Sequence, residues 1–436
     1  MIVSLTQPPN DGGQPTPARP LLATAQPGPR RADDRRVAVA AVVLAAAFLA
    51  AAGLVMIREA IAAGSVPPWL PLHLALAGGA STAIAGVMPF FVAALSAGHP
   101  ANARIRAGAV ILVASGAGLV AMRGFEPGWT VLPPLGGVVY LVGIGLTAVA
   151  LQRAGRAGLM VRRPIVTLAY ELALANVAIG ATLGTLFVAG WLPVLERWAL
   201  LKPAHAWTNL VGFVSLVIVG TLLHFLPTVL GTRIVPRASA IVAVLGIAIG
   251  APVVVLGLGL DAGPLVRGGA LLTAIGVGAL ALEATRVTRA RGRWTTDPGW
   301  HRLTGIGLLA GTGWFTIGMA VVIARLLMVG SAPDAWSTSL VGAPLAVGWV
   351  TQVLIASWTH LLPAIGPGGP TGHAVRRAIL GRLAIARLLA LNGGTTLLAI
   401  GWPMGIGSAA AVGALLAAGS VLTSVALAIR ALRGPA

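Results

Sequence analysis

Seven histidines are where the chemistry of this 436-residue chain starts. Cysteine is absent, which removes disulfides, thiolate metal sites, iron–sulfur clusters and thioether-attached haem. Metal or cofactor chemistry must therefore use histidine, carboxylates or backbone. His99, His301 and His373 fall in polar stretches and are expected to be solvated. His73, His205, His224 and His360 fall in apolar runs, where an ionisable side chain is costly and marks a functional position by default. Neutral imidazole offers one lone pair, and two imidazoles at one depth on different helices can grip a haem iron from both faces. The alternative reading of each histidine is a helix-end cap or a ring resting at the headgroup interface.

Other polar side chains in the apolar runs are few. Asn209 lies one helical turn after His205 and could orient its ring, or meet a haem propionate or a quinone oxygen. Gly212, Leu216 and Gly220 continue that face, so a small-residue face is expected to point into the bundle. The run Ala77-Gly78-Gly79-Ala80-Ser81 after His73 is expected to leave room for a flat macrocycle. Arg387 sits within an apolar run and could meet a propionate, a substrate anion or Glu171. Glu171 could serve a proton path or pair with a basic loop residue; Glu283 is expected to pair with Arg286 three residues on. No phosphate loop, dinucleotide fingerprint, His-Glu-x-x-His or Ser/His/Asp pattern is present.

The elements that must position these residues are membrane helices. Hydrophobic residues make up 57% and charged residues 9%, too few charges to cover a soluble protein of this size. Mean hydropathy is +0.91. The composition excludes a soluble enzyme, a disordered regulator and a secreted disulfide scaffold. Twelve apolar segments are long enough to span: 37–57, 69–95, 105–122, 129–152, 164–188, 204–230, 238–259, 264–286, 303–329, 338–366, 376–400 and 403–430. Residues 1–36, rich in Pro, Gly and Arg, are expected to form a disordered cytoplasmic tail, with 37–436 a single transmembrane domain. No internal repeat is evident.

The net charge of +19 would suggest nucleic acid in a soluble protein, but the basic residues lie between the apolar runs, so no nucleic-acid partner is expected. Twenty-two of the 30 basic residues fall in the tail, the C-terminus and every second loop. Six fall in the alternate loops, and Arg382 and Arg387 lie in the eleventh segment. That alternation predicts twelve spans in a bacterial-type cytoplasmic membrane with both termini inside. Trp129, Trp191, Trp198 and Trp336 then fall near segment ends on the outer side, as an aromatic belt would. Spacings such as Gly180/Gly184, Gly246/Gly250 and Gly307/Gly311 permit close helix packing.

Topology sorts the four histidines by depth. His73 and His205 open segments that run inward, so they form an outer pair. His224 follows His205 by 19 residues, ~28 Å deeper in a helix, and forms an inner pair with His360.

Three stretches carry a resemblance: PLHLALAGGASTAIAGVMPFFVAAL (71–95), AHAWTNLVGFVSLVIVGTLLHFLPTVLGTR (204–233) and WVTQVLIASWTHLLPAIGPGGP (349–370), under a fifth of the chain. They resemble the heme–copper oxidase subunit I superfamily, including the NnrS-like haem proteins. More closely, they are similar to the membrane region found alone or fused to copper domains in bacterial multicopper oxidase and copper nitrite reductase-like proteins. The resemblance implies an all-α bundle of twelve transmembrane helices, with His73 as the haem ligand of the second helix and His205 as the metal-site histidine of the sixth. The chain departs from the pattern: it has no adjacent His pair, no His-x-His on the tenth helix and no His-Pro-x-x-Tyr on the sixth. Phe90 and Trp207 stand where related regions carry histidine.

The expectation is a haem b protein of membrane electron transfer, taking electrons from quinol to a copper-protein partner. His73 and His205 would hold an outer haem, and His224 with His360 a second site; copper is left open. The rival readings are a cofactor-free transporter or permease, and a degenerate scaffold subunit of a membrane redox complex.

Overall fold

Twelve helices in the computed structural model are long and apolar enough to cross a membrane. It describes residues 29–96, 98–156, 165–291, 297–332, 337–366 and 369–433, with side chains from Asp33. Of the residues named above, Trp336 lies outside the described residues. The spans are α1 (Asp33–Ile61), α2 (Trp69–Leu95), α3 (Ala103–Phe125), α4 (Leu132–Arg156), α5 (Ile165–Val188) and α6 (Trp198–Val229). They continue as α7 (Ala238–Gly259), α8 (Gly263–Arg291), α9 (Gly299–Val329), α10 (Thr338–Ile365), α11 (Ala384–Gly401) and α12 (Gly407–Arg433). Among the described residues there is no strand. An even number of crossings puts the start of α1 and the end of α12 on one face.

Two boundaries differ from expectation. The first helix begins at Pro29, so the last residues of the anticipated tail are helical. The eleventh segment, read as 376–400, is two helices. Gly369–Leu380 is an amphipathic helix of its own, with Gly372, Arg376, Ile379 and Leu380 buried. The chain then turns through Leu383, which adopts a left-handed conformation (φ 53°), before α11 starts at Ala384. Arg387 therefore sits in the first turn of α11 rather than deep within a span.

The packing repeats every four spans although the residues do not. The tightest hairpins are α3–α4, α7–α8 and α11–α12; each second helix then packs on the next span (α4 on α5, α8 on α9, α12 on α1). Glycine pairs close the three hairpins. A Cβ added at Gly116 would lie 2.6 Å from the Gly136 carbonyl oxygen, one at Gly250 2.8 Å from that of Gly269, and one at Gly394 2.7 Å from that of Gly413. Backbones this close are the usual solution in lipid, where packing rather than hydrophobicity holds helices together.

The fourth helix of each group is central. Helices α2, α6 and α10 are 61%, 78% and 83% buried in their most apolar stretch, against at most 50% for every other span. Each carries a π-helical segment: Leu74–Ala80, Thr208–Ser215 and Gly342–Thr351. The three segments touch one another at the middle of the bundle. A π turn widens the helix and leaves carbonyls poorly served. Ser81 and Thr351 answer this by donating to the carbonyls five residues back, on Leu76 (2.9 Å) and Ala346 (2.8 Å). Tyr140 of α4 donates in turn to Ser81 (2.8 Å).

Candidate functional site

His73 ends the first α-helical turn of α2, immediately before the π segment, and His205 lies three residues before the π segment of α6. The two helices bring the rings together: their centroids are 6.2 Å apart and their planes 11° from parallel.

A carbonyl holds the His205 ring. His205 Nδ1 lies 2.8 Å from the Gly180 carbonyl oxygen of α5. A carbonyl can only accept, so Nδ1 carries the proton and Nε2 keeps a lone pair. Asn209 also approaches Nδ1 (3.3 Å), but its amide donates to the His205 backbone carbonyl at 2.7 Å, closing a turn of the helix. Trp69, one turn back from His73, stands edge-on to its ring. His205 thus keeps one ring nitrogen for a ligand, with the other anchored, the arrangement that fixes the orientation of a metal-ligating histidine.

Small residues on α5 make this possible. A Cβ at Gly184 would meet His205 Cε1 at 2.6 Å, and one at Gly180 would meet Asn209 Nδ2 at 2.4 Å. Asn176, buried on the same helix, accepts from Thr208 (3.3 Å) and lies where a Cβ on Gly212 would go, at 2.6 Å. The face running from His205 through Asn209, Gly212 and Gly220 is accordingly packed on α5 rather than open to a cavity. Aromatic edges close the sides: Trp69 stands edge-on to His73 at 5.0 Å and Phe187 to His205 at 5.8 Å. Gly180, Gly184 and Asn176 had no histidine-linked signal in the sequence beyond the small-residue spacing.

The slot expected below His73 is not open throughout. A Cβ on Gly78 would lie 2.2 Å from the Phe48 ring and one on Gly79 3.0 Å from Leu49, so α1 fills that side. Leu72, Leu76, Ala77, Asn209 and both histidines are nevertheless partly accessible, although α2 and α6 are two of the three most buried spans.

The inner histidines do not form a matching pair. Among the described residues no ring contact or hydrogen bond joins His224 to His360. Phe225, the next residue, takes the place facing His360, with ring centroids 5.3 Å apart. Trp300 approaches His360 from α9 at 6.4 Å, and His360 Nδ1 is buried without a hydrogen-bond partner.

Arg387 is buried and meets neutral groups: Ser424 (3.0 Å) and the carbonyls of Leu380 (2.9 Å) and Arg382 (3.3 Å). It ties the amphipathic helix and α12 to the start of α11, and no described carboxylate pairs with it. Glu283 pairs with Arg286 (2.8 Å), as expected, and also with Arg237 (3.2 Å). His301 is not simply solvated. Its Nδ1 meets Asp297 (3.0 Å) and its Nε2 the Val229 carbonyl (2.9 Å), joining the start of α9 to the end of α6.

Two imidazoles are few for a bare metal ion, which takes three or four protein ligands, and among the described residues no three His or carboxylate side chains gather. They suit a group that brings its own equatorial donors. The ring centres, 6.2 Å apart, are near enough for both residues to meet one such group. No family model matches the chain, and neither does any curated protein.

Proposed function

We propose that the chain is a haem-binding integral membrane protein of electron transfer, in which His73 and His205 would hold one haem b. The observation that carries this reading is the ring pair: near-parallel imidazoles from two central helices, with His205 anchored through one nitrogen and its other left for a ligand. Haem, when bound, supplies a one-electron couple. The chain's own residues do the rest. The Gly180 carbonyl holds the His205 tautomer, Gly184 gives that ring its room, and Trp69 and Phe187 cover the edges of the two rings.

We further read the bundle as of the heme–copper oxidase subunit I type. The three stretches that carry the resemblance lie on α2, α6 and α10, the three central helices. The charge of the alternate loops supports reading both termini as cytoplasmic, in a bacterial-type membrane. The ring pair then lies near the outer surface, suited to passing electrons from membrane quinol to an external copper-protein partner. The separated inner histidines supply no second site in this reading, and copper has no ligand set among the described residues.

The test is the optical spectrum of the detergent-purified protein, oxidised and dithionite-reduced. A Soret band lost in both His73→Ala and His205→Ala, with the proteins still monodisperse, supports the assignment. Unchanged haem content in both variants overturns it. A colourless wild-type protein with substrate-dependent uptake in vesicles would establish the transporter reading instead.

A further inference from the structure

A second feature lies on the opposite, basic face of the bundle. A cavity of about 640 Å³ opens between the start of α9 and the amphipathic helix Gly369–Leu380, within the size range of ligand pockets. Pro298, Gly299 and Trp300 line one side, and His373, Arg377 and Arg382 line the other. No carboxylate is among its described walls. The nearest one, Asp297, is already held by Arg291 (2.5 Å) and His301 (3.0 Å).

The cavity is positive from several independent sources. Arg377 lies over the Trp300 ring, its Cζ 4.1 Å from the centroid, and its Nε is buried without a hydrogen-bond partner. Arg382 is exposed beside it. Pro298 gives α9 no side-chain cap, and Pro298, Gly299 and Trp300 at this N-terminus line the space. Arg376, fully buried behind the wall, leaves Nε and Nη2 without hydrogen-bond partners and meets no described carboxylate. His373 is held below its usual value by burial, then by Arg377 and Arg376, so at neutral pH the arginines supply the charge.

The surroundings point to a lipid rather than a soluble anion. The amphipathic helix buries one stripe and lies between two spans at the end of the bundle, the position of an interfacial helix. From Arg382 an exposed apolar strip, Leu383, Ile385 and Leu389, runs down the outside of α11. A charged head beside such a strip matches an amphiphile. We propose that this cavity binds the phosphate headgroup of an acidic phospholipid, with Arg377 and Arg382 as its cationic partners and the acyl chains against α11.

The test is native mass spectrometry of the full chain from micelles doped with phosphatidylglycerol or phosphatidylcholine. Wild type should retain phosphatidylglycerol in preference. Each arginine removed should weaken that preference about five-fold, so Arg377→Gln with Arg382→Gln should lose about twenty-five-fold. Arg289→Gln, exposed on the same face outside the cavity, should change nothing. If the double variant does not fold, Arg382→Gln alone, at an exposed position, serves in its place and should weaken the preference about five-fold; undiminished preference in it overturns the proposal. Equal retention of the two lipids by wild type overturns the proposal, as does undiminished preference in the glutamine variant. Displacement of phosphatidylglycerol by equimolar inorganic phosphate also overturns it, assigning the cavity to a soluble anion.

Discussion

The imidazoles of His73 and His205 lie 6.2 Å apart, centre to centre, and within 11° of parallel. Their helices, α2 and α6, are not consecutive, so neither local sequence nor a hairpin produces this relationship. It follows from the four-span repeat of the packing, which sets every fourth helix at the centre.

Room beside His205 is the first requirement. A side chain at position 184 would strike the ring at Cε1, 2.6 Å from an added Cβ. Gly184→Val should therefore displace the ring from the Gly180 carbonyl and remove most of the haem absorbance. Gly145→Ala, where nothing lies within 4 Å, should leave the spectrum intact. Haem per protein in the two purified variants checks this.

Arg387 should prove structural. Its partners are Ser424 and two carbonyls, not a cofactor or a carboxylate. Removing the cation strands those buried acceptors, at about 1–3 kcal/mol. Arg387→Gln should lower the thermal midpoint while the optical spectrum keeps its shape and intensity per folded protein. A spectral shift without a stability loss would place Arg387 at the haem.

Asp297 gives a pH dependence. The Arg291 guanidinium at 2.5 Å, assisted by His301, holds its carboxyl below the usual range against the opposing effect of partial burial. A depressed folded-state value stabilises the protein above the unfolded-state value, about pH 4, and that contribution is lost as pH falls through the lower one. The thermal midpoint of wild type should exceed that of Asp297→Asn at pH 7, and the gap should close below about pH 4. A gap that persists unchanged in acid contradicts the assignment.

The sequence makes the twelve spans legible because hydropathy reports transfer into lipid and loop arginines report side. All twelve helices lie where the apolar segments fall. The eleventh was read too long. Arg376, Arg377, Arg382 and Arg387 crowd its first half, and that density was the available signal that 369–380 is a separate helix. The His73/His205 pair was legible from depth alone. What occupies the other side of each ring was not. Gly78 and Gly79 look like an open slot in one dimension, yet Phe48 and Leu49 of α1 fill it. His224 and His360 match in depth, but a helix turns about 100° per residue, and Phe225 faces His360 instead. The three π segments have no simple signature, because each depends on three helices meeting at the centre.

The most direct measurement is electron paramagnetic resonance of the oxidised, purified protein. Ligation by both imidazoles predicts a low-spin ferric signal in wild type that turns high-spin or disappears in His73→Ala and in His205→Ala, and that His224→Ala leaves unchanged. A low-spin signal surviving intact in both outer variants would contradict the account.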